Sequence, residues 1–263
     1  MKNFILYIFI CLVFTSCRKI IDVNTNNAEP QIVIEGNISN RFVAQQIKIS
    51  KSVGYDELSN FPAVRGAKVL VTDNRGNTYN FTESQPGLYV FGMRGVSGVT
   101  YTMQVMAEGK TYTAVSKMPA YVPMDSIGVV RNTFFGNENL NIAAFVSDPV
   151  DTENFYRFNL YVNDNLSDRI YVNNDRLTNG NKLRLQLYYE GANDEDLKKG
   201  DKVVVDMECI DANIFKYWYA LSQQSGRGPN QGTTPANPTS NISNGALGYF
   251  SAHTYQRLNI TVP

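Results

Sequence analysis

The chain has 263 residues, is 43% hydrophobic, and balances 24 Lys and Arg against 24 Asp and Glu. Zero formal charge excludes the electrostatic pull that draws basic proteins to nucleic acid or anionic lipid. A single histidine excludes any two-histidine metal site, while the apolar content suffices for a packed core.

The first feature in chain order is MKNFILYIFICLVFTSC. Lys2 is followed by an apolar run from Phe4 to Val13. That run is too short to span a bilayer, which needs ~20 apolar residues, and it reads as a secretory leader. Ser16-Cys17 at its end resembles the bacterial lipobox, in which the cysteine is acylated and becomes the mature N-terminus; Phe14 stands where Leu is usual. Residues 1–16 are therefore expected to be a lipoprotein signal peptide, with Cys17 the lipid attachment site. Loss of Lys2 with the leader leaves a net charge of −1, so membrane attachment must come from acyl chains, and two or more chains anchor stably. Cys11 leaves with the leader and Cys17 is acylated, so Cys209 has no partner and no disulfide framework or thiolate metal site can form. Residues 17–29, Asn-rich and without periodicity, form a tether.

From Pro30 the pattern is that of short strands. IVIEG begins at Ile32, Ile47 and Ile49 alternate with polar neighbours, and Val69 and Val71 alternate before the turn Asp73-Asn74-Arg75-Gly76-Asn77. YTMQVMAEGKTYTAVSKM reads as a hairpin around Glu108-Gly109. Residues 30–120 are expected to be a β-sandwich of immunoglobulin-like or transthyretin-like type. Pro119 and Pro123 mark the boundary, because proline breaks both ladders and helices.

Residues 121–263 continue as strands. A turn is expected at Gly136-Asn137-Glu138-Asn139, and Tyr156, Phe158, Leu160 and Val162 share one strand face. In KVVVDMECI, Cys209 alternates with Val203, Val205 and Met207, which points an inert thiol into a core. One helix is predicted over 212–224, capped by Asp211 and ended by Gly226, with Ile214, Tyr217, Trp218 and Leu221 in a stripe that packs on the sheet. A polar loop spans 225–245, and Leu247-Gly248-Tyr249-Phe250 opens the last strand. The fold class is all-β: tandem antiparallel β-sandwich domains with one short helix in the second.

Several pieces together resemble one family. They are the lipobox, IVIEGNIS soon after it, KTYTAVSKMP, the linker MDSI, and NPTSNISNGALGYFSA near the end. This is similar to the Bacteroidota envelope lipoproteins grouped as domain of unknown function 4249. The resemblance implies an outer-membrane lipoprotein and supplies no catalytic residues. Such lipoproteins sit near TonB-dependent outer-membrane receptors, which implies a role in nutrient uptake.

Motifs for catalysis are missing from the sequence. H-E-x-x-H, G-x-S-x-G and the P-loop do not occur, and Gly226-Arg227-Gly228 follows a helix instead of a strand. A Ser-His-Asp arrangement would have to use His253, which lies in a Tyr- and Phe-rich strand and reads as structural. Asp148 and Asp151 flank Pro149, and Asp194-Glu195-Asp196 form a run; these suit solvated turns better than a hydrolase pair or a calcium site. Asp125-Ser126-Ile127 resembles the short Bacteroidota O-glycosylation signal, making Ser126 a candidate glycan site. The expected contact surface is the polar loop with neighbouring aromatics: Arg227, Asn230, Trp218 and Tyr249. The sequence thus predicts a non-enzymatic outer-membrane lipoprotein without cofactor or metal, held by lipid at Cys17. Its expected role is accessory or ligand-binding, beside a TonB-dependent receptor and with no nucleic acid partner. The alternatives are a carboxylate-dependent envelope hydrolase and a structural or adhesion module.

Overall fold

The computed structural model describes residues 29–54, 61–134, 137–150, 152–189, 196–224 and 236–263. The expected leader, Cys17 and most of the expected tether lie outside these, as do Gly136, Asp151, Asp194, Glu195, Gly226, Arg227 and Asn230.

The N-terminal strands are β1 (Ile32–Ser39), β2 (Val43–Lys51), β3 (Lys68–Asp73), β4 (Thr78–Gln85), β5 (Leu88–Met93), β6 (Thr100–Ala107) and β7 (Lys110–Lys117). Then come β8 (Met124–Phe134), β9 (Asn137–Ser147), β10 (Phe155–Val162), β11 (Asn165–Leu166), β12 (Tyr171–Asn174), β13 (Lys182–Leu187) and β14 (Lys202–Ile210). Helix α1 (Ala212–Ser222) and the long strand β15 (Leu247–Thr261) complete the chain. Among the described residues the fold is all-β with one short helix, as the sequence predicts.

One sheet runs β11-β10-β14-β15-β1-β2-β5-β4-β3-β6-β7, with β12 also on β10; a second is β13-β9-β8. The large sheet folds over at β4, whose first half pairs with β3 and whose second half pairs with β5. Inward residues of both halves then meet: Ile34, Ile47 and Ile49 with Val71, Tyr101, Met103 and Val105. Their period-two spacing is what a half-buried strand requires. At the far end β7 returns to the chain before β15. Ala114 bridges Ile242, the Ser243 backbone N–H donates to the Thr113 carbonyl, and the Asn241 and Asn244 side chains donate to carbonyls of Val115 and Thr111. The open edge of β7 is thereby partly satisfied.

Around the second core, β9 and β13 face β10 and β14. Ile142, Ala144, Val146 and Leu185 pack with Tyr156, Phe158, Leu160, Val203, Val205 and Met207. Cys209 is 2% exposed, as its alternation predicts, and burial pushes its thiol pKa up. The chain crosses between cores from Met118, in the first, to Val122, in the second. Ile242, Ala246, Phe250 and Ala252 from the C-terminal segment also lie in the first core.

The pairing differs from an all-antiparallel sandwich at one place. β15 runs parallel to β1 from Leu247 to His253, then antiparallel to β14 up to Thr261. One strand therefore belongs to both sandwiches. The parallel seam needs close approach: a Cβ on Gly248, at φ +90°, would lie 2.1 Å from the Ile34 carbonyl oxygen.

Local turns follow the sequence closely. Glu108 (φ 49°) and Gly109 (φ 75°) form the two-residue turn of the β6–β7 hairpin. At the β3–β4 turn, the Asp73 carboxylate accepts bonds from Arg75, Asn77 and Tyr79. Burial opposes its ionisation, but these donors outweigh it and hold the carboxyl well below the usual range. The β8–β9 pairing reaches further than expected. Asn137, Glu138 and Asn139 pair with Phe134, Thr133 and Asn132, so they are strand and not turn. Asp211 caps α1 as predicted, accepting from the backbone N–H groups of Asn213 and Ile214. The helix ends at Ser222 instead of 224, with Gln223 as its C-cap, and Ser222 Oγ donates to the Tyr219 carbonyl.

Candidate functional site

Strands whose inner positions fill the cores must turn their alternate positions outward. Across β10, β14, β15 and β1 those outward positions are Arg157, Asn159 and Tyr161; Asp206 and Glu208; Tyr249, Ser251, His253, Tyr255 and Arg257; and Glu35 and Asn37. Here the two sandwiches present one continuous face, because β15 crosses both. Helix α1 lies on part of it, through Ile214, Phe215, Tyr217 and Trp218 against Tyr249 and Phe155.

Beneath the helix, an Arg157 nitrogen is 2.9 Å from Glu208 Oε2, and its guanidinium carbon lies 3.9 Å from the centre of the Trp218 ring. The Trp218 and Tyr249 rings are 5.1 Å apart, and Asn37 Nδ2 donates to the Tyr249 hydroxyl at 3.3 Å. Burial opposes ionisation of Glu208, but Arg157 overcomes it and lowers the carboxyl's pKa. His253 is driven down by burial and is held neutral. Its Nδ1 sits 3.1 Å from Ser251 Oγ. Ser251 is only 2% exposed, so this pair is closed to a substrate in the observed conformation.

Beyond the helix the face is more open. Arg257 binds Asp206 through two nitrogens at 2.6 and 2.8 Å, and the Tyr255 hydroxyl donates to Asp206 at 2.8 Å. Arg41 lies 4.7 Å from the centre of the Tyr255 ring, and Arg257 lies 5.6 Å from that of Tyr161. Burial, then the bond to Asp206, pushes Tyr255 up to about 12. The result is a flat array of aromatic faces, guanidinium groups and amides. Its chemistry is stacking and hydrogen bonding.

Of the sequence-predicted residues, Trp218 and Tyr249 are brought together. Ser126 is exposed on β8 at a shift in register beside Met124. The 236–245 part of the predicted loop runs beside β7. With α1 it walls a cleft of ≈ 610 Å³ lined by Thr113, Asn213, Lys216, Thr239 and Asn241. Among the described residues no group of three or more His, Cys, Asp or Glu side chains is arranged to hold a metal. Sequence reasoning missed Arg157, Asp206, Glu208, Tyr255 and Arg257. For Arg157, Asp206 and Glu208 the signal was present as charges in the middle of otherwise apolar strands, FYRFNLYV and KVVVDMECI.

A family model described as a domain of unknown function, DUF4249, matches residues 18–259. The chain belongs to the DUF4249 family. No curated protein matches it. The DUF4249 match takes in both sandwiches, α1 and the shared face, and it begins one residue after Cys17.

Proposed function

We propose that this DUF4249 protein is an outer-membrane lipoprotein, anchored through Cys17, that binds and does not catalyse. Its role in this reading is that of an accessory or ligand-binding component of TonB-dependent nutrient uptake. The observation that carries the reading is the junction at Ser16-Cys17. An apolar leader ends there, and the family domain starts at residue 18.

Binding is favoured over hydrolysis by the state of the ionisable groups. Glu208 is committed to Arg157, Asp206 to Arg257 and Tyr255, and Ser251 is closed off. What remains available on the face is aromatic surface and side-chain amide. The polar segment with Arg227 and Asn230 follows α1 in sequence and is proposed to share in recognition. A Cys17→Ala variant tests the anchor, and its retention in the membrane fraction would overturn it. Replacing Arg227 through Thr239 with a short Gly-Ser linker tests recognition. Affinity capture from detergent-solubilised envelopes should then lose an outer-membrane receptor that the parent captures. Unchanged capture by a folded variant removes this segment from the binding surface.

A further inference from the structure

A second cluster of ionisable groups lies on the opposite side of β10, in the core of the second sandwich, and the binding reading makes no use of it. Asp148 follows β9, Asn154 precedes β10, Asp175 follows β12 and Gly180 precedes β13. Four chain segments therefore converge at one corner, and the two carboxyl groups hold them together. Asp148 is 7% exposed and Asp175 is 0% exposed. Asp148 accepts from the Tyr156 hydroxyl and from the Gly180 backbone N–H. Asp175 Oδ2 accepts from the Asn154 backbone N–H at 2.9 Å.

Asp175 Oδ1 has no donor among the described residues, although it is fully buried. The Asp148 carboxyl, bonded at the same corner, interacts with it and opposes its ionisation. Two ionised carboxylates cannot hydrogen-bond, since both only accept. Two like charges in contact inside a core also repel strongly. A proton on Asp175 removes both difficulties, turning Oδ1 from an orphan acceptor into the donor to Asp148.

We propose that Asp148 and Asp175 share one proton in the native protein at neutral pH, and that this proton latches the corner joining β9, β10, β12 and β13. The geometry is supported by the direction of the equilibrium: burial drives the Asp175 carboxyl above its ordinary range, the Asn154 backbone N–H opposes this, and Asp148 adds to it. Among the described residues the ionisable groups facing the pair are Tyr156, on β10, and Cys209, on β14; burial keeps both neutral, so neither supplies a countercharge. Val150 and Leu177, at 70% and 91% exposure, sit on the loops that the latch closes. The latch thus makes the second sandwich sensitive to alkaline pH.

The sign follows from linkage. The native state holds a proton that the unfolded chain has released above pH 3.8, the ordinary value. Unfolding is therefore favoured as pH rises, by up to about tenfold in the equilibrium constant per pH unit, until the native carboxyl itself titrates.

The test uses the folded chain without its leader. Infrared spectra should show the carbonyl stretch of a neutral carboxylic acid at pH 7, lost on going to pH 10 and absent from Asp175→Asn. Thermal melts from pH 6 to pH 10 should fall for the parent. They should run flatter for Asp175→Asn, whose amide donates to Asp148 at every pH. An acid band missing at pH 7 in the parent overturns the proposal, whether or not the variant folds. So does a melt that falls equally steeply in both proteins. A rise in melting temperature with added calcium at pH 7, abolished in Asp175→Asn, would also overturn it by placing a cation where the proton is assigned.

Discussion

The guanidinium group of Arg157 lies between the Trp218 ring, 3.9 Å from its centre, and the carboxylate of Glu208 at 2.9 Å. One side chain thus fastens α1 to β10 and β14. Cutting the two halves of this clamp has different costs. Glu208→Gln leaves a largely buried guanidinium with no countercharge and should destabilise by about 3–5 kcal/mol. Trp218→Ala removes packing at the helix edge and should cost less, about 2 kcal/mol, because the ring is only half-buried. Denaturant melts of the two variants give the order directly.

The parallel seam predicts a contrast between two glycines. A Cβ at Gly248 meets the Ile34 backbone at 2.1 Å, whereas Gly245, at φ +72°, has open space around it. Gly245→Ala should cost about 1 kcal/mol, from backbone strain alone. Gly248→Ala should cost about 3 kcal/mol or more, since the backbone of β1 must move. Equal losses would show that the β1–β15 spacing is not fixed by that glycine.

Cys209 should be inert in the folded protein. Its thiol is buried against Thr254 and the Val122 carbonyl, and burial raises its pKa. A polar maleimide should label it only in denaturant. Cys209→Ser should lower stability by about 1–3 kcal/mol, because a hydroxyl desolvates less readily than a thiol.

His253 predicts the acid side of the stability curve. Burial depresses its folded pKa below the ordinary 6.5, so on acidification the unfolded chain binds a proton that the native state refuses. Stability present above pH 6.5 should therefore be lost as pH falls. Glu208 begins to contribute in the same direction only below its ordinary 4.5. Between pH 5 and 6.5 the Asp175 proton acts in the opposite direction, so the histidine is read by difference: His253→Asn should gain more stability than the parent as pH falls through that interval. An unchanged slope in this window would assign the acid loss to other groups.

The sequence made the strands and hairpins legible because their signals are local. Alternation placed Cys209 inward, Glu108-Gly109 marked a turn, and Asp211 marked a helix start. What it could not give were pairings between distant positions. Nothing near Ile34 announces Gly248 as its neighbour, and the Asp148–Asp175 contact depends on four loops meeting. Asp148 was visible as a carboxylate beside Pro149, but its partner proved to lie 27 residues later, across three strands. Trp218 and Tyr249 were legible as aromatics near a polar loop. The arginines and carboxylates around them occupy the alternate strand positions, and alternation alone marks such positions as facing away from a core without saying what covers them.

The direction of β1 bears on how the protein would carry a mechanical load. A pull on the tether enters at Gln31 and runs along β1, across the perpendicular hydrogen bonds that join it to β2 on one side and the slanted ones that join it to β15 on the other. Those bonds cannot be unzipped one at a time from that end; the paired positions from Val33 to Ser39 must slide together. Because β15 continues into the second sandwich, tension passes through it to β14 without crossing the 118–122 linker. An N-terminal anchor would thus haul on the strand best braced against being drawn out, and the linker would stay slack.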